Sequence, residues 1–178
     1  KVVAYDAQRR QVLEQQARPL ALIAGEDGSR EQDAADWTAA LADAISCLSP
    51  AVRQRVRGLS VSGQQHGFVP VGRDNEVLGP VKLWCDTSST AECDAITAAA
   101  GGEAACIAEA GNALRVGYTA SKLPWTRRHR PQVHAALDAI LLPHDYLNLW
   151  LTGQRFMECG DASGTGWLDV RTRHWSAA

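Results

Sequence analysis

Between Asp33 and Leu48 the apolar residues Trp37, Leu41, Ala44, Ile45 and Leu48 recur at spacings of three and four, the period of a helix with one buried face. Around this stretch stand only short apolar runs bounded by turn residues: Val2–Tyr5, Leu20–Ala24, Phe68–Val71, Val77–Trp84 and Ala139–Leu142. Runs of that length read as strands. Leu59-Ser60-Val61-Ser62 alternates in the same way. A chain with both patterns must lay helices against a sheet, so the expected class is α/β or α+β.

Punctuation refines the elements. Asp33 is a plausible N-cap for the long helix, and Ser49-Pro50 opens a short one that Gly58 stops. Ser89-Thr90-Ala91-Glu92 has the capping-box pattern and predicts a helix to about Ala100. Further helices are expected over 103–110, 119–128, from Pro131, and over 145–151, where Asp145 caps the start. Strands joined by polar turns at the amino end suggest an antiparallel meander. The segment from Glu158 to Gly166 reads as a loop.

A length of 178 residues suits one domain. Lys and Arg number 18 against 20 Asp and Glu, and with no basic block there is no electrostatic footprint for nucleic acid. No apolar run approaches the ~18–20 residues of a membrane span, so neither nucleic acid nor a membrane is an expected partner. The five cysteines, Cys47, Cys85, Cys93, Cys106 and Cys159, form no Cys-x-x-Cys pair. Scattered reduced thiols fit this better than a zinc ribbon or a disulfide framework, and a reducing, cytoplasmic location follows as the expectation. P-loop, Gly-x-Gly-x-x-Gly and His-Glu-x-x-His motifs are absent, which removes the usual readings built on them.

Three clusters can carry chemistry. Gly63-Gln64-Gln65-His66-Gly67 places two amides and an imidazole between glycines. Such neutral groups both donate and accept, and so suit a hydroxyl-rich ligand; the alternative is a polar turn that binds nothing. Trp84-Cys85-Asp86 sets an aromatic face beside a carboxylate, as sugar sites do; the alternative is a core Trp and a capping Asp. Glu158 and Asp161 stand among small residues, where a carboxylate could take the proton of a hydroxyl attacking a phosphoryl group; the alternative is a local turn held by Asp161. His144-Asp145 could be an acid–base pair, but the capping role of Asp145 is the simpler reading. Arg127, Arg128, His129 and Arg130 read as a solvated helix end.

Together the segments resemble the FGGY carbohydrate kinases. The match runs through Ser60 to Gly67 with Val81 to Ser88 and Glu92-Cys93. It continues through Gly117-Tyr118-Thr119-Ala120-Ser121-Lys122-Leu123-Pro124-Trp125, then Leu141 to Tyr146, Leu151-Thr152-Gly153, Asp161 to Thr165, and Leu168-Asp169-Val170 before Trp175-Ser176. The family order is kept over nearly the whole chain. Gln65 stands where Met is more usual, Thr126 where an apolar residue is usual, and Glu158 where many relatives carry Asp.

The resemblance implies a ribonuclease-H-like (actin-like ATPase) lobe, a mixed sheet flanked by helices and truncated at both ends. Residues 1–178 would be the N-terminal sugar-binding domain, without the family's first strand and phosphate loop and without its C-terminal nucleotide domain. The implied function is ATP-dependent phosphorylation of a sugar, nearest in pattern to the members that convert D-xylulose to D-xylulose 5-phosphate. Ribulose, gluconate or glycerol are the alternative substrates, and a non-catalytic sugar-binding or interaction module is the alternative role. Gln65 and His66 would contact sugar hydroxyls, Trp84 would line the pocket and Asp86 would help order it. Asp161 is the favoured general base, with Glu158 as its rival. ATP and Mg2+ would be cofactors of the full-length enzyme, bound mostly outside this chain, which alone would be inactive. The expected partners are the sugar and, in a homodimer, a second copy of the chain.

Overall fold

A computed structural model describes residues 1–176. Strand β1 (Val2–Asp6) turns back on β2 (Gln11–Gln16) in an antiparallel hairpin with a bulge between Ala4 and Tyr5. The turn is held by Asp6, whose Oδ1 accepts the backbone N–H of Gln8 at 3.0 Å and of Arg9 at 2.9 Å. Strand β2 is mostly polar and gave no apolar run to read. The run from Leu20 forms only the two-residue β3 (Ile23–Ala24), paired with β4 (Arg30–Gln32).

Helix α1 (Ala34–Ser46) begins where Asp33 accepts the Ala35 N–H at 2.8 Å, and it buries Trp37 and Ala44. Ser49 caps α2 (Pro50–Arg53), which ends well before Gly58. The expected strand at Leu59–Ser62 is absent: no described strand lies alongside to share a ladder, and Leu59 stays exposed.

Strand β5 (Val69–Val71) follows, then β6 (Val81–Lys82). Helices α3 (Thr90–Ala99) and α4 (Glu103–Ala110) come next, then α5 (Lys122–His129) and α6 (Pro131–Ala136). The capping box at Ser89 does not form. Ser89 is fully buried and its hydroxyl bonds the Ser121 hydroxyl at 2.9 Å, so a tertiary partner replaces the local one. Strand β7 (Ala139–Leu141) precedes α7 (Pro143–Thr152). Asp145 does cap α7, reaching back from its first turn to the Leu142 N–H at 3.2 Å. The expected loop after Glu158 contains a one-turn helix, α8 (Cys159–Ala162), and a 3-10 turn over Ser163–Thr165. A hairpin of β8 (Leu168–Asp169) and β9 (His174–Trp175) ends the described chain.

In the centre, β3, β4 and β6 form one ladder, and β5 pairs with β7. An antiparallel bridge between Phe68 and Lys82 joins the two groups. Every described pairing is antiparallel, so the parallel ladders that a mixed sheet also carries do not occur among the described residues. Helices α1 and α7 cover this sheet, with Trp37 and Leu149 packed on Val69, Val71, Val81, Leu83 and Leu141.

Beside the core lies a buried ionic cluster. Lys82 Nζ is 3.3 Å from Glu31 and 3.1 Å from Asp86, and stands 3.5 Å over the Trp125 ring. Arg130 grips both Glu31 oxygens at 2.8 and 2.7 Å. This cluster fastens the carboxyl end of α5 to β4 and β6, and it spends Arg130 on structure.

Candidate functional site

The segment 59–63, the start of α7 and the turn into α8 enclose a cleft of about 540 Å³. Its wall includes Ser60, Ser62, Gln65, His144, Glu158 and Asp161. Gly63 lets the first segment close on α7, because a Cβ there would lie 3.0 Å from the His144 backbone nitrogen.

The two candidate carboxylates are held differently. Glu158 is the N-cap of α8: its Oε2 accepts the Gly160 N–H at 2.7 Å and its Oε1 accepts the Asp161 N–H. Both oxygens are thus engaged with the helix start, where a negative charge is favoured. Asp161 sends its side chain away from its own backbone. Its Oδ2 lies 2.9 Å from His144 Nδ1, while its Oδ1 is buried without a hydrogen-bond partner among the described residues. The local-turn role foreseen for Asp161 is therefore filled by Glu158.

His144 is the residue that sequence reasoning passed over. Its Nε2 lies 2.9 Å from Asp145 Oδ1, so the imidazole bridges two carboxylates, and it is nearly buried. Hydrogen bonds to Asp145 and then Asp161 outweigh desolvation and hold its pKa up at about 10. It is an imidazolium at neutral pH, in ion-pair contact with both carboxylates. The signal in sequence was the His144-Asp145 pair at a helix start; its second carboxylate was not legible.

His66 sits behind this pair. Its backbone is left-handed, with φ 58°, and its ring stacks on Tyr118 with centroids 4.0 Å apart. The opposite edge meets Gly164, where a Cβ would fall 2.2 Å from His66 Cε1. Burial pushes the His66 pKa below its ordinary value, against the opposing pull of Asp161. The two histidines thus differ in charge: His144 is cationic and His66 neutral.

Gln65 is exposed at the cleft wall. Trp84 is not among the lining residues and is 56 % exposed. Asp86 is fully buried, and its carboxylate accepts from the Arg30 N–H at 2.8 Å, Lys82 Nζ at 3.1 Å, and the Ser88 N–H and hydroxyl at 3.1 and 2.7 Å. With four donors satisfied it orders the segment after Trp84 and leaves no oxygen facing the cleft.

The profile of the FGGY family of carbohydrate kinases, N-terminal domain, matches residues 1–178. The chain belongs to the FGGY carbohydrate kinases. The xylulose kinase of Haemophilus influenzae is 38 % identical over 182 residues, covering 98 % of this chain and 37 % of that protein. Among solved structures, a xyloylose kinase from Brucella ovis superposes with a TM-score of 0.89 at 35 % identity, over 97 % of this chain and 36 % of the other. The xylulose kinase from Rhodospirillum rubrum gives 0.86 at 26 % identity, over 94 % and 35 %. The chain thus spans little more than a third of these relatives. The expected fold class holds: this is an α/β lobe of the sugar-kinase, actin-like ATPase kind.

Within this FGGY domain the three resembling stretches converge, since His66, Tyr118 and Gly164 come one from each and touch. Among the described residues, no three His, Cys, Asp or Glu side chains are placed to hold a metal ion. No helix among the described residues is long and apolar enough to cross a membrane.

Proposed function

We propose that this domain binds D-xylulose in the cleft beside His144 and Asp161, within a longer chain that phosphorylates the sugar with ATP to give D-xylulose 5-phosphate. The observation that carries the reading is the free, buried Oδ1 of Asp161 at the wall of a cleft that also presents the hydroxyls of Ser60 and Ser62 and the amides of Gln65 and Asn148. A buried carboxylate oxygen without a partner is costly, and a sugar hydroxyl supplies the missing donor. The names of the relatives support xylulose as that sugar.

Asp161 and not Glu158 meets the hydroxyl in this reading, because the oxygens of Glu158 are engaged by the α8 cap. The His144 imidazolium keeps Asp161 in place. Asp161 therefore first orients the hydroxyl as a hydrogen-bond acceptor. It takes the proton only as the oxygen–phosphorus bond forms and the hydroxyl becomes acidic. Phosphoryl transfer asks mainly for such positioning. Gln65 at the cleft wall recognises a further hydroxyl, and the neutral His66, next to it in the chain, backs the Asp161 side of the cleft.

The deciding experiment is a steady-state assay of the full-length protein with Mg-ATP and, in turn, D-xylulose, D-ribulose, gluconate and glycerol. Preferential turnover of D-xylulose, with NMR placing the phosphate on C5, is expected. Preference for another of the four, or no ATP-dependent product at all, overturns the assignment.

A further inference from the structure

Lys122 is fully buried and has no function in the site described above. Its charged neighbour Lys82 is paired with Glu31 and Asp86, but Lys122 Nζ is given to two neutral acceptors. It donates to the His66 carbonyl at 2.7 Å and to the Gly117 carbonyl at 2.6 Å. Among the described residues no carboxylate contacts it, and a buried lysine so placed is expensive, so what it holds matters.

The His66 carbonyl belongs to the loop that brings Gln65 to the cleft wall, and the Gly117 carbonyl to the loop before α5. The His66 peptide is the one with left-handed backbone, a conformation that is strained for a non-glycine residue and must be imposed by its surroundings. Its carbonyl also accepts the Thr119 hydroxyl at 3.3 Å. Gly117 in turn lies against the backbone of Trp84, where a Cβ would sit 2.2 Å from the Trp84 carbonyl oxygen. One amine thereby couples the His66 loop to the segment packed on Trp84, and the intervening Tyr118 supplies the ring on which His66 stacks.

We propose that Lys122 is a positioning residue for the sugar site: its buried amine, helped by Thr119, fixes the His66 peptide and so aims the His66 ring. This deepens the sugar-binding role proposed above and rests on it. Neither Lys122 nor His66 lines the cleft, and the residue of this loop at its wall is Gln65; Lys122 therefore acts through the His66 loop and not on the sugar. Asp86, Lys82, Cys85 and His66 are the ionisable groups that face it, and burial lowers its pKa to about 7. The clamp survives loss of the proton, because a neutral amine keeps two N–H donors for its two carbonyls.

The test uses Lys122→Met, which keeps the stem and removes the donors, and Thr119→Val, which removes only the longer bond, in the full-length protein. Lys122→Met is expected to raise the KM for D-xylulose about tenfold or more. Its kcat at saturating sugar and its KM for ATP should stay near wild type. Thr119→Val should show the same pattern at a few-fold. The Hε1 NMR resonance of His66, shifted upfield by Tyr118, should move toward the value of a free imidazole in Lys122→Met. A folded Lys122→Met with wild-type sugar KM and an unmoved His66 resonance overturns the proposal, as do equal losses for sugar and ATP. If Lys122→Met does not fold, Thr119→Val decides by the same criteria. Absence of D-xylulose turnover by the wild type sinks the sugar reading instead, and the His66 resonance still tests the clamp.

Discussion

His144 Nδ1 lies 2.9 Å from Asp161 Oδ2, joining the first turn of α7 to the turn of α8 across the floor of the cleft. The contact pairs a cation with the carboxylate proposed to meet the sugar. Replacing His144 by Gln removes the charge, and a charge-assisted hydrogen bond contributes about 1.5–3 kcal/mol. His144→Gln is therefore expected to lower kcat/KM for sugar about 10- to 100-fold. His144→Lys, which restores a cation, should recover part of the loss. Equal activity of the two variants in steady-state assays would show that the charge has no function there.

Asp161→Asn and Glu158→Gln should separate in kind. The first removes the proton acceptor and is expected to lower kcat about 10²-fold or more. The second weakens the α8 cap and should cost roughly 0.5–1 kcal/mol of stability with kcat nearly kept. A fall confined to the sugar KM of Asp161→Asn would make Asp161 a binding carboxylate only. Near-wild-type kinetics for both variants would remove both from the mechanism.

Gly164→Ala probes His66 without replacing it. The new methyl would fall 2.2 Å from His66 Cε1, so the imidazole must leave its place on Tyr118. Overpacking of this kind costs about 1–3 kcal/mol. The sugar KM should rise while the KM for ATP holds, as isothermal calorimetry with each ligand can check. Unchanged sugar affinity would separate the ring from recognition.

Two buried groups are set to oppose each other in the pH dependence of stability. Lys122 falls from an ordinary 10.5 to about 7 on folding. Between these values the unfolded chain binds a proton that the folded one does not, so this group makes stability rise with pH. His144 climbs from 6.5 to about 10. Between these values the folded chain holds the extra proton, so its contribution is present below about pH 6.5 and is lost as pH rises toward 10. One proton corresponds to at most about 1.4 kcal/mol per pH unit, and the two slopes largely cancel. Urea denaturation from pH 7 to 9.5 should then be nearly flat for these groups in the wild type. It should rise with pH in His144→Gln and fall with pH in Lys122→Met. Slopes of the same sign in both variants would refute this balance.

The elements written locally were legible in the sequence. Helix α1 with its Asp33 cap, the proline-opened α2 and α6, strand β1 and the motif order each depend on residues within a few positions of one another. Spacing alone reports those contacts. The tertiary structure decided wherever a polar group had more than one partner within reach. Ser89 left its own helix for Ser121. Glu158 took the local turn and freed Asp161. Lys122 went to two loop carbonyls, and His144 found its second carboxylate on another element. Leu59–Ser62 has a strand pattern but no described strand beside it. Periodicity fixes which face of an element is apolar. Which carboxylate a buried histidine meets is set by how those faces pack, because burial makes every unpaired polar group costly and so selects the partner that packing brings near.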